Sequence, residues 1–514
     1  MKEASRTKRT LQNSQVSLIL FVIQIFVGFY SRKVFLDELS AEVIGLNTTL
    51  GNILSFLNLA ELGIGIAMAT SLYKPINADD KEGICEILTV QGILYKRIAM
   101  ILCALAAVVM VAMPWIFPNT ECGLPYVYVA FLVFLSGSLA SYLWNYREVL
   151  IGADQKNFKL MPWIHGIRYV KVGLQIFFLL VVNLGIWGWI ALEFLASVAS
   201  VFAINHVIKK EYPWLHKVKT PAKELLSKYS DLMTKTKQLF VHKIGSFVLE
   251  QTAPLIIYAL VSLGMVAYYG NYMLIIGYVA TLLNVIFEGM GASIGNLVAE
   301  NNKKHTLEVF WELFTARLFI AALACYSIYV FMEPFIKLWI GEQYVLPTST
   351  LLLMIMGVFI RMTRSVVDSF KNAYQLFADV WSPIVEACLN LGCSLLFGYF
   401  WGLNGILLGA NISLIVIVLI WKPYYTFREG LKSSSAVYFA QYALHLLVLV
   451  GVAVATSALM LWLDSKTDNI WLSLVYRAAT VIVYAIAVYA ILMVVTPGMR
   501  KFTQRIINIL HRRL

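Results

Sequence analysis

The sequence predicts an all-α, polytopic membrane protein of about fourteen transmembrane helices, arranged as two pseudo-symmetric six-helix lobes plus two extra helices. Three observations carry that expectation. Of 514 residues, 60% are hydrophobic and only 14% charged, with a mean hydropathy of +0.74; soluble domains carry about 25% charged residues. Apolar runs long enough to cross about 30 Å of hydrocarbon as helix recur from end to end. Basic residues concentrate in alternate connections, as the positive-inside rule requires.

The first run, 13–31, follows the polar, basic stretch MKEASRTKRTLQNS. That stretch has no short apolar core followed by a small-residue cleavage site, so it reads as a retained cytoplasmic tail. Arg32 and Lys33 close the run on the outer side. The following runs are 42–72, 93–117, 124–147, 160–183 and 186–208, the last two joined only by Asn183 to Trp187. A basic loop, 209–237, carries eight lysines and divides the chain nearly in half. Runs 238–262 and 266–298 meet across Ser262 to Ala267. Run 309–332 precedes the longest outer segment, 333–346, and 347–370 follows it. Runs 381–400 and 403–421 meet at Tyr399 to Asn404, and 437–463 and 470–495 complete the set before a basic tail.

With the N-terminus inside, only Arg32, Lys33, Lys337 and Lys466 fall in outer segments. The net charge of +12 therefore reports topology and contact with anionic membrane lipids, not nucleic acid. The six cysteines form no CxxC, and only Cys122 lies in an outer loop. Neither a disulfide framework nor a metal site is expected, and no cofactor. No HExxH, GxSxG or Walker A pattern is present, so the expectation is a transporter and not an enzyme. Asp79–Asp80 reads as a solvated loop.

Shifting the chain by roughly 225 residues, a weak repeat sought by self-comparison, brings NLAELGIGIA (58–67) near NVIFEGMGAS (284–293), and LGIWGWIAL (184–192) near WGLNGILLG (401–409). The organisation that follows is an N-lobe at 1–208, a cytoplasmic linker at 209–237 and a C-lobe at 238–421. Two further helices occupy 437–495, with a basic cytoplasmic tail at 496–514. Parallel lobes related by an axis along the membrane normal are a transporter architecture with the substrate site between them.

Projected at 100° per residue, Asn47, Thr48, Asn52, Ser55, Asn58 and Glu61 occupy about half of the second run. A charge near the bilayer centre costs at least ~2.5 kcal/mol on insertion scales, so a polar face there implies a cavity or another polar helix. Thr281, Asn284 and Glu288 repeat the pattern more narrowly, as do Lys243, Ser246 and Glu250. Two basic faces, His165/Arg168/Lys171/Gln175 and Arg361/Arg364/Asp368, suit an anionic headgroup such as a diphosphate, because guanidinium binds phosphate bidentately and keeps its charge when desolvated. Blander readings stand beside these: interhelical hydrogen bonding for the Ser, Thr and Asn residues, an Arg364–Asp368 pair, and snorkelling of Arg168 and Lys171.

The block SRKVFLDELSAEVIGLNTTLGNILSFLNLAELGIGIAMATSLYKPI (31–76), with GLNGILLGANIS (402–413) and WKPYYTFREG (421–430), closely resembles bacterial polysaccharide-unit flippases, the Wzx-type transporters. The resemblance covers essentially the whole chain. It implies the fold of the multidrug and lipid-linked oligosaccharide exporters: two six-helix lobes in a V around a central cavity, plus two helices. It also implies a function: turning undecaprenyl-diphosphate-linked oligosaccharides from the inner to the outer leaflet for capsule, O-antigen or exopolysaccharide assembly. The setting it implies is the bacterial cytoplasmic membrane, with both termini cytoplasmic and a polysaccharide polymerase and chain-length machinery as neighbours.

Helix geometry nominates Arg168, Lys171, Arg361 and Arg364 for the diphosphate or anionic sugar. Glu61, Glu250, Glu288, Asp368 and Lys243 are candidates for coupling to H+ or Na+ or for charge balance, and Asn52, Asn58 and Asn284 for the polar cavity wall. The rivals are a cation-coupled multidrug exporter of the same fold and, less favoured by the short outer loops, a membrane polysaccharide polymerase.

Overall fold

The structure, a computed structural model, describes residues 2–61, 64–118, 120–229, 251–287, 294–295, 297–298, 300, 302–374, 376 and 378–511. Helix and connecting turns account for all of them, and eleven helices are long and apolar enough to span a membrane. Two of the eleven fold back on themselves. The first, α1 (Lys2–Leu57), breaks at Ser40, where φ is 74° and ψ 159°. The other, α13 (Trp381–Gly430), breaks at Gly402, where φ is 55° and ψ −134°. A shorter apolar helix, α9 (Gln251–Leu260), stands beside them among the described residues. Glycine suits the second break because it adopts positive φ without a Cβ clash.

The contacts form two compact units, Met1–Ala267 and Tyr268–Leu514. The first contains α1, α2 (Ile64–Ala78), α3 (Lys81–Ile116), α4 (Gly123–Leu143), the short α5 (Glu148–Ala153), α6 (Asn157–Phe177), α7 (Gly185–Glu211), α8 (Ala222–Lys228) and α9. Side chains fix their directions. The first limb of α1 runs alongside α6 in parallel: Asn13 Oδ1 accepts from Phe158 N–H at 2.7 Å, and Tyr169 O–H donates to Leu20 O at 2.8 Å. The second limb runs parallel to α4, with Asn47 donating to Tyr126 at 3.1 Å and Asn58 to Ser138 at 3.2 Å. Because α4 and α6 run oppositely, α1 is a helical hairpin.

Alternation then puts the chain start, α2 with the turn at 79–80, and the connections 144–156 and 209–221 at one end of the unit. The turns near 40, at 117–118 and 120–122, and at 183–184 lie at the other. Arg147, Lys156, Lys159, Lys209 and Lys210 all belong to the first end, where Glu211 accepts Lys159 at 2.5 Å and Asp154 pairs with Lys156 at 2.7 Å. Leu46, Leu50, Tyr126 and Phe131 lie fully buried at the core.

This unit extends past the basic loop to Ala267. Tyr258 of α9 stacks on Phe117 with ring centroids 5.1 Å apart and donates to Ile116 O. Arg32 donates to Ala267 O at 3.0 Å.

The second unit contains most of α10 (Leu263–Phe287), then α11 (Lys303–Trp339), α12 (Thr348–Ala373), α13, α14 (Ser435–Asp464), α15 (Ile470–Val495) and α16 (Pro497–His511). Its centre is α11, capped by Asn302, whose Oδ1 accepts from His305 N–H. Phe310 and Phe314 of α11 pack with Phe370, Phe427 and Tyr438 into an aromatic core. The limbs of α13 approach so closely that a Cβ on Gly405 would fall 1.9 Å from Phe397 O. The outer surfaces of α14 and α15 expose Leu447, Val450, Val454, Ile482 and Ile486, as lipid-facing helices do.

Candidate membrane-embedded polar site

On the second limb of α1, the polar stripe divides by what each side chain touches. Thr48, Asn52 and Ser55 donate to the carbonyls of Ile44, Thr48 and Gly51, each four residues earlier, at 2.8, 2.8 and 2.9 Å. These side chains satisfy themselves within their own helix. Asn47 and Asn58 instead reach α4.

At the end of the stripe the helix tightens into a 3-10 turn, Asn58–Glu61, which carries Glu61 into a cluster of phenols. Tyr95 O–H donates to Glu61 Oε1 at 2.9 Å, and Tyr142 O–H lies 2.9 Å from Oε2. Tyr142 also stands 3.0 Å from Asn58 Oδ1, so its single proton is shared between an amide and a carboxylate. The two rings meet edge to face at 5.3 Å. Among the described residues, Glu61 thus rests on neutral donors and not on a cation.

Nearby, Glu148 opens α5 beyond the spanning segments. Its side chain is solvent-accessible, yet desolvation by the surrounding protein first, and the charge of Glu61 second, hold its carboxyl above the usual carboxylate range.

A cavity of about 230 Å³ opens beside this stripe, between the second limb of α1, α4 and α7. Ser55, Asn58, Ser138, Ser197, Phe134 and Glu193 line it. Glu193, which sequence reasoning did not single out, accepts from Lys171 Nζ at 2.6 Å and from Gln175 Nε2 at 3.1 Å. Gln175 donates in addition to Trp189 O. Lys171 is thereby turned into the helix pair α6–α7 and held by a carboxylate, while Arg168, one turn earlier, is exposed. The signal for Glu193 was the same as for Glu61, a carboxylate in an apolar run.

In the second unit, Arg361, Arg364 and Asp368 share one face of α12. Arg364 Nε lies 3.2 Å from Asp368 Oδ2, both about one-third exposed, and Arg361 is exposed. Two further basic residues in the spans hold the fold: Arg317 is 2% exposed and donates to Met362 O at 2.7 Å, while Arg477 pairs with Asp464 at 2.6 Å. Sequence reasoning also passed over Glu386, Asp379 and Lys422 of the α13 region, although Ser382, Glu386, Asn390 and Ser394 recur at helical spacing there. Lys243, Glu250, Glu288 and the side chain of Asn284 lie outside the described residues. Among the described residues, no cluster of His, Cys, Asp or Glu is arranged to hold a metal ion.

No protein-family model and no curated protein matches this sequence. Solved structures do match in fold. A structure of the lipid II flippase MurJ in an inward closed conformation superposes with a TM-score of 0.64 at 14% identity, covering 92% of this chain and 98% of that one. An inward-facing multidrug resistance MATE family transporter of the MOP superfamily gives 0.55 at 15% identity, covering 80% and 97%. A mutant of the Vibrio cholerae MATE transporter VcmN gives 0.52 at 16%, covering 83% and 99%. The chain is a multi-pass, all-α membrane protein sharing the fold of these transporters.

Proposed function

We propose that the chain is a flippase that turns polyprenyl-diphosphate-linked oligosaccharide units from the inner to the outer leaflet by alternating access, as a Wzx-type protein would. The observation that carries this reading is the polar cavity at membrane depth. Hydroxyls, an amide, an aromatic ring and Glu193 line it, an assortment suited to sugar hydroxyls. The basic face of α12 supports an anionic group, since Arg361 and Arg364 outweigh Asp368 by one charge. The fold shared with a protein named as a lipid II flippase is in keeping with a lipid-linked substrate. The positively charged end of the first unit faces the cytoplasm on this reading, with the polymerase and chain-length machinery as partners and H+ or Na+ as the coupling ion.

The test is deletion followed by leaflet analysis of lipid-linked glycans, with the Arg361→Ala/Arg364→Ala variant beside it. Deletion leaves the unit on the inner leaflet, and the double variant abolishes surface glycan at normal protein level. Surface glycan that persists in the double variant removes the phosphate role from α12. Unchanged glycan on deletion removes the flippase reading altogether.

A second reading has its own observation. Glu61 with Tyr95 and Tyr142, and Glu193 with Phe134, place carboxylates beside aromatic rings, which suits organic cations. A multidrug exporter would then change drug sensitivity on deletion without moving any glycan.

A further inference from the structure

The second unit contains a buried polar seam that neither the cavity nor the basic face uses. On the first limb of α13, Ser382, Glu386, Asn390 and Ser394 recur every four residues and are all buried. Asn390 donates to Ser413 Oγ at 3.4 Å across the hairpin, and Ser394 to Ile406 O at 3.0 Å. One end of the seam meets the Lys371–Asp379 pair; the other meets Thr350, which donates to Asn404 at 2.6 Å. A polar side chain on every turn across a bilayer is costly, so its two carboxylates are informative.

They differ in how fully they are held. Asp379 takes Lys371 Nζ at 2.6 and 2.7 Å, Ser382 Oγ at 3.1 Å and Trp421 Nε1 at 3.2 Å. Its lone pairs are occupied, and it serves as a fixed anchor. Glu386 is 2% exposed, yet its ion-pair partner among the described residues, Lys422 Nζ, stands 3.5 Å from Oε2, beyond the usual N–H···O range of about 2.7–3.2 Å. Oε1 is buried, and among the described residues no protein donor reaches it. A buried carboxylate with one loose partner is poorly compensated; a proton on Oε1 removes that charge.

We propose that Glu386 is a proton-binding site: it exchanges one H+ with the aqueous phase along the seam, with Lys422 as its countercharge. Protonation forms an O–H bond at the carboxyl and nothing is oxidised or reduced. The charged groups facing it are Lys422 from the return limb and Arg364 and Asp368 from α12, with Lys371, Asp379 and Tyr425 at the end of the seam. With Glu386 ionised, the group Arg364, Asp368, Glu386 and Lys422 is neutral; with Glu386 protonated it carries one positive charge. Proton uptake thereby converts a balanced cluster into one that repels itself, a change a conformational equilibrium can follow. This holds whatever substrate the protein moves.

The experiment is pH-difference infrared spectroscopy of the full-length chain in phosphatidylethanolamine/phosphatidylglycerol nanodiscs, with proton uptake counted in weak buffer. Wild type shows the carbonyl band of a protonated buried carboxyl on acidification. Glu386→Gln loses the band and takes up one proton fewer, Glu386→Asp keeps the band at a changed frequency, and Glu61→Gln leaves it in place. Should Glu386→Gln fail to fold, judged by gel filtration and circular dichroism, the Asp variant decides alone through the band shift. A band and proton count unaltered in both Glu386 variants, or a band lost in Glu61→Gln instead, overturns the proposal.

Discussion

In the first unit, Glu61 is gripped by the hydroxyls of Tyr95 and Tyr142, each at 2.9 Å. In the second, Glu386 faces Lys422 at 3.5 Å, with one oxygen unmet by any protein donor among the described residues. The phenols satisfy the lone pairs of Glu61 without cancelling its charge. Lysine offers Glu386 a countercharge at 3.5 Å but leaves one of its oxygens without a donor among the described residues. Hydrogen bonding and charge compensation are separate requirements of a buried carboxylate, and each unit meets one of them better than the other. The first site is left electrically attractive to a cation or a proton donor, the second responsive to a change in its own protonation.

The sharpest way to break this contrast is to remove the lysine. Lys422→Met removes the ion-pair partner of buried Glu386, and breaking a buried pair from one side costs about 3–5 kcal/mol. Thermal unfolding in detergent should show that loss, and the double variant with Glu386→Gln should recover most of it. A double variant as unstable as Lys422→Met would mean that the lysine acts through packing and not through charge.

In the first unit, the corresponding change is smaller, since no charge is stranded by losing a phenol hydroxyl. Tyr142→Phe deprives both Asn58 Oδ1 and Glu61 Oε2 of a donor, while Tyr95→Phe deprives Glu61 Oε1 alone. Side-chain hydrogen bonds between membrane helices are worth about 0.6–2 kcal/mol, so Tyr142→Phe belongs near the upper end and Tyr95→Phe near the lower. Equal losses, read from the same unfolding curves, would show that the proton of Tyr142 is not shared.

How far these sites were legible in the sequence follows from which distances a helical projection can see. Spacing within one helix exposed the stripe ending at Glu61, the α12 face and the return at Tyr399 to Asn404. Partners on another helix leave no such trace. Lys171 finds Glu193 twenty-two positions away, and Glu61 finds tyrosines from α3 and α4, with nothing local to mark either. The extension of the first compact unit to Ala267 rests on Tyr258 packing against Ile116 and Phe117, a contact across 142 positions. The α13 seam was visible as Ser382/Glu386/Asn390/Ser394, but a polar stripe becomes informative only once the opposing limb is known to supply Lys422 and Ser413.

The smallest expected effect links the first site to pH. Glu148 is held above the usual carboxylate range by desolvation among its protein neighbours, although it stays solvent-accessible, with the charge of Glu61 adding to it. An acid whose folded-state pKa is raised binds its proton more tightly folded than unfolded, so its contribution to stability is fully present below the ordinary carboxyl value and is lost as pH rises through the folded value. Glu148→Gln should therefore flatten the fall in unfolding temperature across that window. Glu61→Gln should flatten it only in part, because it removes the Coulombic contribution and leaves the larger one, desolvation, untouched. Unfolding temperatures measured through the window for the two variants and wild type separate the causes. A full flattening by Glu61→Gln alone would make charge, not desolvation, the dominant influence, and would tie α5 electrically to the phenol-bound carboxylate more tightly than its packing requires.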